Sequence, residues 1–277
     1  MGFFIVAAIA GAFVVALWFI GAREPAYTIA TGEPAWFVAV RASATPELAA
    51  NVKVAWTASA DFAFIGAPEA YWQRFYILAG GDPSRTPIDL SHIEDAYVAR
   101  IELAAPPKLA LGLLAALVAI GVLGKPRGEV GGDVQAKGYR GELMPDSGAV
   151  SRLLARPGTY GPSMVNFLRY YPSAKYKNGA SSSGRAAYAR YGMVALRTVY
   201  RTGGHLLFYG RVRDVAREAT GGPTIGAWSD VAAMHYPNPT AILSMEHVAA
   251  YRAALHHRDA GLERTVVIAS TQQPLTD

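Results

Sequence analysis

The sequence predicts an α+β protein whose C-terminal part is a ferredoxin-like βαββαβ domain, preceded by an N-terminal apolar helix and a mixed α/β region. Two observations lead to this prediction. The chain opens with a long uncharged apolar run, and from Ser163 onward four runs rich in β-branched and aromatic residues alternate with two segments of helical period. In that order the helices cover one face of a four-stranded sheet. A second copy of the sheet is the simplest cover for the other face, so we expect a homodimer through the sheet face.

The N-terminal apolar run predicts a membrane anchor over residues 1–22. Gly2 to Ala22 are 21 residues without a charge, and about 20 apolar residues span a bilayer core. A cleaved signal peptide or a core helix are the alternatives. A second apolar segment, residues 108–125, holds 16 apolar residues between two lysines, and it is either a transmembrane or a buried helix. The apolar segments predict a membrane protein in contact with lipid, and the excess of Lys and Arg after Gly124 predicts that its C-terminal domain is cytoplasmic.

The region between the apolar segments, residues 23–107, is predicted to be mixed α/β and of unknown role. Strands are predicted at Ala35 to Ser43 and at Ala96 to Leu103, because β-branched and aromatic residues are frequent there. A helix is predicted over Pro68 to Gly81, with proline at its start and glycines at its end. Residues 126–144 are glycine-rich and read as a linker.

The C-terminal domain is predicted over residues 145–272, followed by a tail at 273–277. Its first helix begins after the capping residue Ser183 and ends near Arg201, before two glycines. A second helical region leads into the last strand. The four strands are expected at Met164 to Tyr170, His205 to Val212, Val231 to Tyr236, and Thr265 to Ser270.

Composition excludes several classes of function. The chain has no cysteine, so disulfides, thiolate metal sites and cysteine nucleophiles are absent. The net charge is −3 over residues 1–124 and +8 over residues 125–277. The arginines of the basic half are scattered, which favours a solvated surface over a nucleic-acid interface. No phosphate loop, serine elbow or dinucleotide fingerprint occurs, so no cofactor is predicted.

Four stretches of the C-terminal half resemble a known family. They are "GPSMVNFLRYYPSAKYKNGASSSGRAAYARYG", "GGHLLFYGRV", "WSDVAAMHYPNPTAILSM" and "YRAALHHRDAGLERTVVIAS". Together they resemble the domain of unknown function 1330 family, within the dimeric α/β-barrel superfamily. The resemblance implies two ferredoxin-like sheets that form a barrel across a dimer interface, with a cavity of small-molecule size. It implies no established reaction.

Candidate ligand contacts lie on the strands of this domain. Strict alternation over His205 to Val212 places His205, Tyr209 and Arg211 on the same face as Leu207. The opposite face is purely apolar and is expected to meet the helices, so the mixed face would line the barrel interior. Asn166 and His235 join it if the strand registers permit. An ordinary dimer interface, where Tyr and Arg are also enriched, is the alternative.

The stretch "LHHRDAG" near the end of the chain suggests chemistry but is better explained as the end of a helix. Adjacent His256 and His257 cannot both face one metal ion from a regular helix, so no metal site is predicted. Arg258 shares a helix face with Tyr251, on the side expected to meet the sheet. A buried guanidinium needs an acceptor. An ion pair with Asp259 or Asp230, or a bound anion, would each satisfy this need.

The sequence thus predicts a membrane-associated protein of unknown activity. Its C-terminal dimeric barrel is expected to bind a small, largely apolar or anionic ligand, either as a binding protein or as a cofactor-free enzyme. The candidate contacts are His205, Tyr209, Arg211, Arg258, Tyr251, Asn166 and His235. The alternative is a non-catalytic, membrane-tethered dimerisation module.

Overall fold

A computed structural model of the chain shows eight antiparallel strands that form one closed barrel. The structure describes residues 2–30, 32–42, 45–128 and 139–275. Around the barrel the strands follow the order β1-β3-β2-β8-β5-β7-β6-β4. The strands are β1 (Ala35–Arg41), β2 (Val52–Ile65), β3 (Arg74–Gly80), β4 (Asp95–Leu103), β5 (Ser163–Tyr170), β6 (His205–Arg217), β7 (Asp230–His235) and β8 (Leu262–Gln272).

Seven α-helices accompany the barrel in the described part of the chain. They are α1 (Gly2–Ala22), α2 (Pro25–Thr28), α3 (Lys108–Ala119), α4 (Ser147–Leu154), α5 (Gly184–Arg201), α6 (Pro239–Ser244) and α7 (Ala249–Gly261). The side chains of Asp146, Ser183 and Asn238 accept hydrogen bonds from backbone N–H groups in the first turns of α4, α5 and α6. The predicted start of α5 at Ser183 is confirmed. Residues 129–138 of the predicted linker and 276–277 of the tail lie outside the described residues.

The two halves of the chain supply the two halves of the barrel. The strand order is β4-β1-β3-β2 in the N-terminal half and β8-β5-β7-β6 in the C-terminal half. Two antiparallel ladders join them: β2 with β8, where Ala60 faces Ser270, and β4 with β6, where Ile101 faces Val212. The predicted fold, a ferredoxin-like domain that closes a barrel with a second copy, is therefore wrong. The homodimer stays a prediction. The uncovered sheet face on which it was based is covered by the N-terminal half of the same chain.

Aromatic side chains fill the barrel interior. Phe37, Phe75, Tyr97, Phe167 and Phe208 come from five different strands, and all are buried. The ring of Phe167 lies 5.3 Å from that of Phe37 and 5.9 Å from that of Tyr97, both edge to face. Edge-to-face pairs at this separation are favourable beyond the area that they bury. The barrel is therefore a packed core.

The outer faces of the two halves are covered differently. Helices α5 and α7 pack on each other and lie over the outer face of β5 to β8, with Tyr191, Ala195 and Leu255 in the apolar layer. The outer face of the N-terminal half is covered by its own loops, which bring Ile88 against Trp36. Among the described residues, the layer of long helices thus lies over the sheet of the C-terminal half.

Two sequence predictions for residues 23–107 have different outcomes. The predicted strands at Ala35 and Ala96 are present as β1 and β4, and Ser43 lies outside the described residues. The predicted helix over Pro68 to Gly81 is wrong, because Arg74–Gly80 is strand β3. Phe75 faces the interior while Tyr76 faces outward, so both faces of β3 are buried. A strand buried on both faces reads as a continuous apolar run, which periodicity alone does not distinguish from a helix.

Helices α1 and α3 pack antiparallel to each other with close backbone contact. A side chain at Gly21 would collide with the Lys108 carbonyl, and one at Gly112 with the Leu17 carbonyl. Within the described ranges, no helix combines the length and the apolar character that a membrane crossing requires. The predicted membrane anchor and membrane localisation are therefore wrong, and the expected lipid contact and cytoplasmic placement lose their basis. Helix α3 has only 12 residues, against about 20 for a span.

A buried carboxylate fastens the loop between β6 and β7 to one end of the barrel. Asp95 accepts hydrogen bonds from the Tyr71 hydroxyl at 2.9 Å and from the backbone N–H groups of Thr220 and Gly221 at 3.0 and 2.9 Å. Burial raises the pKa of Asp95, but the hydrogen bonds lower it by more, so its pKa lies below the ordinary value.

Truncating the central aromatic residue should destabilise the fold strongly. We expect Phe167→Ala to lower the free energy of unfolding by about 3–5 kcal/mol, because the packed interior cannot collapse into the space left. Met193→Ala is the control, since Met193 is 70% exposed on α5 and should change stability by less than about 0.5 kcal/mol. Chemical denaturation measures both. Equal effects of the two variants would contradict the packed interior.

Asp95 should make stability depend on pH in the acid range. Because its pKa is depressed in the folded state, its contribution is present above the unfolded value of about 3.9 and is lost as pH falls through the folded pKa. We expect Asp95→Asn to cost about 1–3 kcal/mol at pH 7. The variant should also show a shallower loss of stability below about pH 4 than the wild type. Parallel pH profiles from thermal denaturation would argue against this role.

Candidate functional site

A cavity of about 490 Å³ lies between the outer face of the C-terminal half-barrel and helices α5 and α7. We name it the helix–sheet cavity. Its sheet wall is apolar and includes Met164, Leu168 and Val267, and its helix wall includes Tyr188 and Tyr251. The residues 104–106 and the exposed Arg211 also border it. The candidate site is therefore outside the barrel, whereas the sequence analysis expected it inside.

An irregularity in β6 decides which side chains reach this cavity. The pairing of β6 with β7 shifts between Leu206, which faces Met234, and Phe208, which faces Ala233. Leu207 and Phe208 consequently both pack into the barrel interior. Beyond the shift, Tyr209 lines the helix–sheet cavity. The predicted alternation, with Leu207 and Tyr209 on one face, is therefore wrong, because a β-bulge changes the phase of a strand.

A fully buried carboxylate, Asp230, organises the wall of the cavity. It accepts hydrogen bonds from the hydroxyls of Tyr170, at 2.7 Å, and Tyr209, and its two oxygens lie 2.6 and 2.7 Å from Nη1 of Arg185. Asp230 begins β7, Tyr170 ends β5, and Arg185 lies in the first turn of α5. Four elements, β5, β6, β7 and α5, are thus held together by one charge, and protein groups already compensate this charge.

The phenols of Tyr170 and Tyr209 donate their single hydroxyl protons to Asp230. Burial, followed by the charge of Asp230, raises the pKa of Tyr209 to about 12. Burial raises the pKa of Tyr170 further, and it also raises the pKa of Tyr251 on the opposite wall. These side chains stay protonated at neutral pH. They can orient a ligand, but they cannot act as bases there.

Arg258 is the buried cation of the cavity. It is 8% exposed, its Nη1 donates to the Leu143 carbonyl and lies 3.7 Å from the Met144 sulfur, and its guanidinium lies 5.9 Å from the Tyr191 ring centroid. The sequence predicted an ion pair with Asp259 or Asp230 as one alternative. Asp259 instead pairs with Arg140 at 3.2 Å, and Asp230 pairs with Arg185. No carboxylate in the described ranges lies within 4.0 Å of Arg258.

The structure brings five of the seven predicted contacts together. The five predicted contacts that line the helix–sheet cavity are Asn166, Tyr209, Arg211, Tyr251 and Arg258. The other two, His205 and His235, lie at a second cavity of about 340 Å³ near the end of the barrel. Strand register explains the separation, because His205 and His235 face each other at the ends of β6 and β7.

Sequence reasoning missed two charged residues that the structure makes important. Arg185 is 45 residues from Asp230, and Glu24 is 181 residues from His205, to which it is hydrogen-bonded. No spacing rule connects residues so far apart, because tertiary packing alone places them together. The histidine pair near the chain end lies elsewhere: His257 contacts the Tyr176 hydroxyl at 2.6 Å, and His256 contacts the Ala253 carbonyl.

Comparison with known proteins adds two similar crystal structures. No family model matches the chain, and no curated protein matches it. A crystal structure of the methylated RPA0582 protein is 28% identical to this chain and covers 48% of it and 93% of its own length. Another, described as RPA0582, a protein of unknown function from Rhodopseudomonas palustris, is 27% identical and covers 48% and 96%. Both have a TM-score of 0.41, which identifies neither fold nor function. The resemblance to the domain of unknown function 1330 family stays a prediction.

Removing the charge of Asp230 should loosen the wall of the cavity. We expect Asp230→Asn to cost about 1–3 kcal/mol of unfolding free energy, since an amide cannot accept from all three donors and leaves a buried group unsatisfied. Asp214→Asn is the matched control, because Asp214 lies exposed on the neighbouring strand and should change stability by about 0.5 kcal/mol or less. Chemical denaturation distinguishes the two. A neutral Asp230→Asn variant would show that the cluster does not hold the elements together.

Proposed function

We propose that the protein binds a small, largely apolar molecule that carries an anionic group, in the helix–sheet cavity. The observation that carries this proposal is Arg258, a buried guanidinium on the cavity wall without a carboxylate partner in the described ranges. A carboxylate on the ligand would meet this guanidinium, while the ligand body would contact the apolar sheet wall.

The cost of burying a charge favours an anionic ligand. An ionised group inside a protein is destabilising unless it is paired and hydrogen-bonded. The hydrogen bond to the Leu143 carbonyl and the position over Tyr191 compensate part of the Arg258 charge. The planar guanidinium has five N–H donors and matches a carboxylate in a two-pronged arrangement. The remaining donors of Arg258 therefore suit an acid better than a neutral head group.

Cavity size and wall chemistry favour a small apolar body. A volume of about 490 Å³ lies within the range of about 300–1,000 Å³ that is typical of small-molecule sites. The sheet side contributes Met164, Met234 and Val267, and the helix side contributes Leu196 and Met245. Flexible methionine side chains adapt to ligands of varied shape. The cavity therefore suits small hydrocarbon bodies of varied shape.

Binding, and not catalysis, is the role proposed for this cavity. Tyr209 and Tyr251 stay protonated at neutral pH, and Asp230 is neutralised by its protein partners. Glu246 also borders the cavity, and burial raises its pKa, which reduces the negative charge that would oppose an anionic ligand. The alternative, a dimerisation module, was motivated by an uncovered sheet face, which the closed barrel covers within one chain.

A pair of ligands with one chain length and different head groups tests the proposal. We expect octanoate to bind at least about 10-fold more tightly than octanol, since a charge-assisted pair contributes more than a neutral hydrogen bond. Arg258→Ala and Arg258→Lys should both remove this preference, because lysine does not reproduce the planar fork. Titration calorimetry gives the affinities.

The controls separate ligand binding from a structural role of Arg258. Arg190→Ala, at an exposed position on α5, should leave the preference for octanoate unchanged. If Arg258 only supports the fold, Arg258→Ala should instead lower stability by about 3 kcal/mol or more, and octanoate should bind no better than octanol to the wild type. His256→Ala and His257→Ala, near the end of α7, should lower the free energy of unfolding by only about 0.5–1 kcal/mol. Equal binding of both ligands to the wild type would exclude the proposed function.

A further inference from the structure

The second cavity, named here the barrel-end cavity, lies where β6 begins and β8 ends. It has a volume of about 340 Å³ and is lined by His205, His235, Trp56, Leu207 and Gln272, among others. Helix α2 contributes part of the rim. None of these residues borders the helix–sheet cavity, so the two sites are separate.

A buried carboxylate orients the first histidine of this cavity. Glu24 is 7% exposed and accepts hydrogen bonds from the Tyr200 hydroxyl at 2.6 Å and from Nδ1 of His205 at 3.1 Å. Burial raises the pKa of Glu24, but the hydrogen bonds from His205 and Tyr200 lower it by more, so Glu24 is ionised. A carboxylate at Nδ1 keeps the imidazole proton on that nitrogen. The neutral His205 ring then carries its lone pair on Nε2.

The second histidine has the opposite tautomer, and the neighbouring amide shows why. Trp56 Nε1 donates to Oε1 of Gln272 at 3.0 Å, so the amide nitrogen of Gln272 is directed away from the indole. This amide nitrogen lies 3.4 Å from Nδ1 of His235 and donates to it. Neutral His235 therefore carries its proton on Nε2. Burial lowers the pKa of His235, which favours the neutral ring.

The strand register brings the two rings together. His205 on β6 faces His235 on β7 directly, and side chains of directly opposite residues have Cβ atoms about 4.5–5.5 Å apart. Both histidines therefore line the barrel-end cavity from neighbouring strands. Trp56 and Leu207 provide apolar surface next to them.

We propose that the barrel-end cavity is a proton-transfer site for small neutral carbonyl compounds, with His205 as the general base and His235 as the hydrogen-bond donor to the carbonyl oxygen. The C–H bond beside the carbonyl breaks, and its proton passes to Nε2 of His205. The electron pair forms a carbon–carbon double bond, and the carbonyl π electrons move to the oxygen, where His235 stabilises the enolate. Return of a proton from His205 to carbon restores the carbonyl compound, so the cycle needs no oxidant, reductant or cofactor.

Charge and wall chemistry select the class of substrate. The carboxylate of Glu24 disfavours an anion in the neighbourhood of His205. Trp56 and Leu207 favour an apolar body. Glu24 does not contact the substrate, so it is a positioning residue that also stabilises the imidazolium formed on His205.

Deuterium exchange into cyclohexanone in D2O, followed by NMR, tests the proposal on the full chain. We expect the wild type to accelerate exchange beside the carbonyl above the buffer rate. His205→Gln should reduce the accelerated rate about 100-fold or more, since general bases contribute about 10²–10⁴-fold. Glu24→Gln should lower kcat with little change in KM, because the amide still accepts from Nδ1 but carries no charge.

Two measurements keep the result decisive. His92→Gln changes an exposed histidine in the N-terminal half and should leave the exchange rate at the wild-type value. Thermal melting of His205→Gln and Glu24→Gln tests whether both variants are folded. An exchange rate in the wild type equal to that of buffer overturns the proposal, and so does full activity in a folded His205→Gln variant. Binding of octanoate in the other cavity is unaffected by either outcome.

Discussion

The structure depends on the closing of one barrel by two antiparallel ladders, β2 with β8 and β4 with β6. These ladders pair the sheet edges of each half with those of the other. They also bring the inner faces of both halves together, so that Phe37 of the N-terminal half packs on Phe167 of the C-terminal half. Because aromatic residues fill the interior, space for small molecules lies at the outer helix layer and at the barrel end.

Four buried charges of the molecule differ in how they are satisfied. Asp95 and Asp230 each accept hydrogen bonds from several protein donors, and they join elements that are distant in sequence. Glu24 is shared between a tyrosine and His205, and it orients a ring that lines a cavity. Arg258 has only a backbone carbonyl, a sulfur and an aromatic face. The least compensated charge therefore marks the site that we assign to an anionic ligand.

The two cavities suit different chemistry because their polar groups differ. The helix–sheet cavity holds protonated phenols and a fixed cation, which can bind and orient a molecule but have no base among the tyrosines. The barrel-end cavity holds two imidazoles in complementary tautomers beside a buried carboxylate. The two proposed roles, recognition in one cavity and proton transfer in the other, therefore rest on different sets of residues.

Local patterns determined the strands of the C-terminal half, the cap at Ser183 and the presence of Arg258 on a sheet-facing helix, because these features depend on neighbours a few residues apart. Tertiary structure alone decided the rest. The shift in β6 placed Tyr209 on the cavity wall that faces the helices. The strands of the N-terminal half close the barrel, where a second copy of the domain was expected. The pairing of Glu24 with His205 spans 181 residues. Such contacts depend on which surfaces are still exposed after the strands have paired. The periodicity of the sequence does not indicate which surfaces these are.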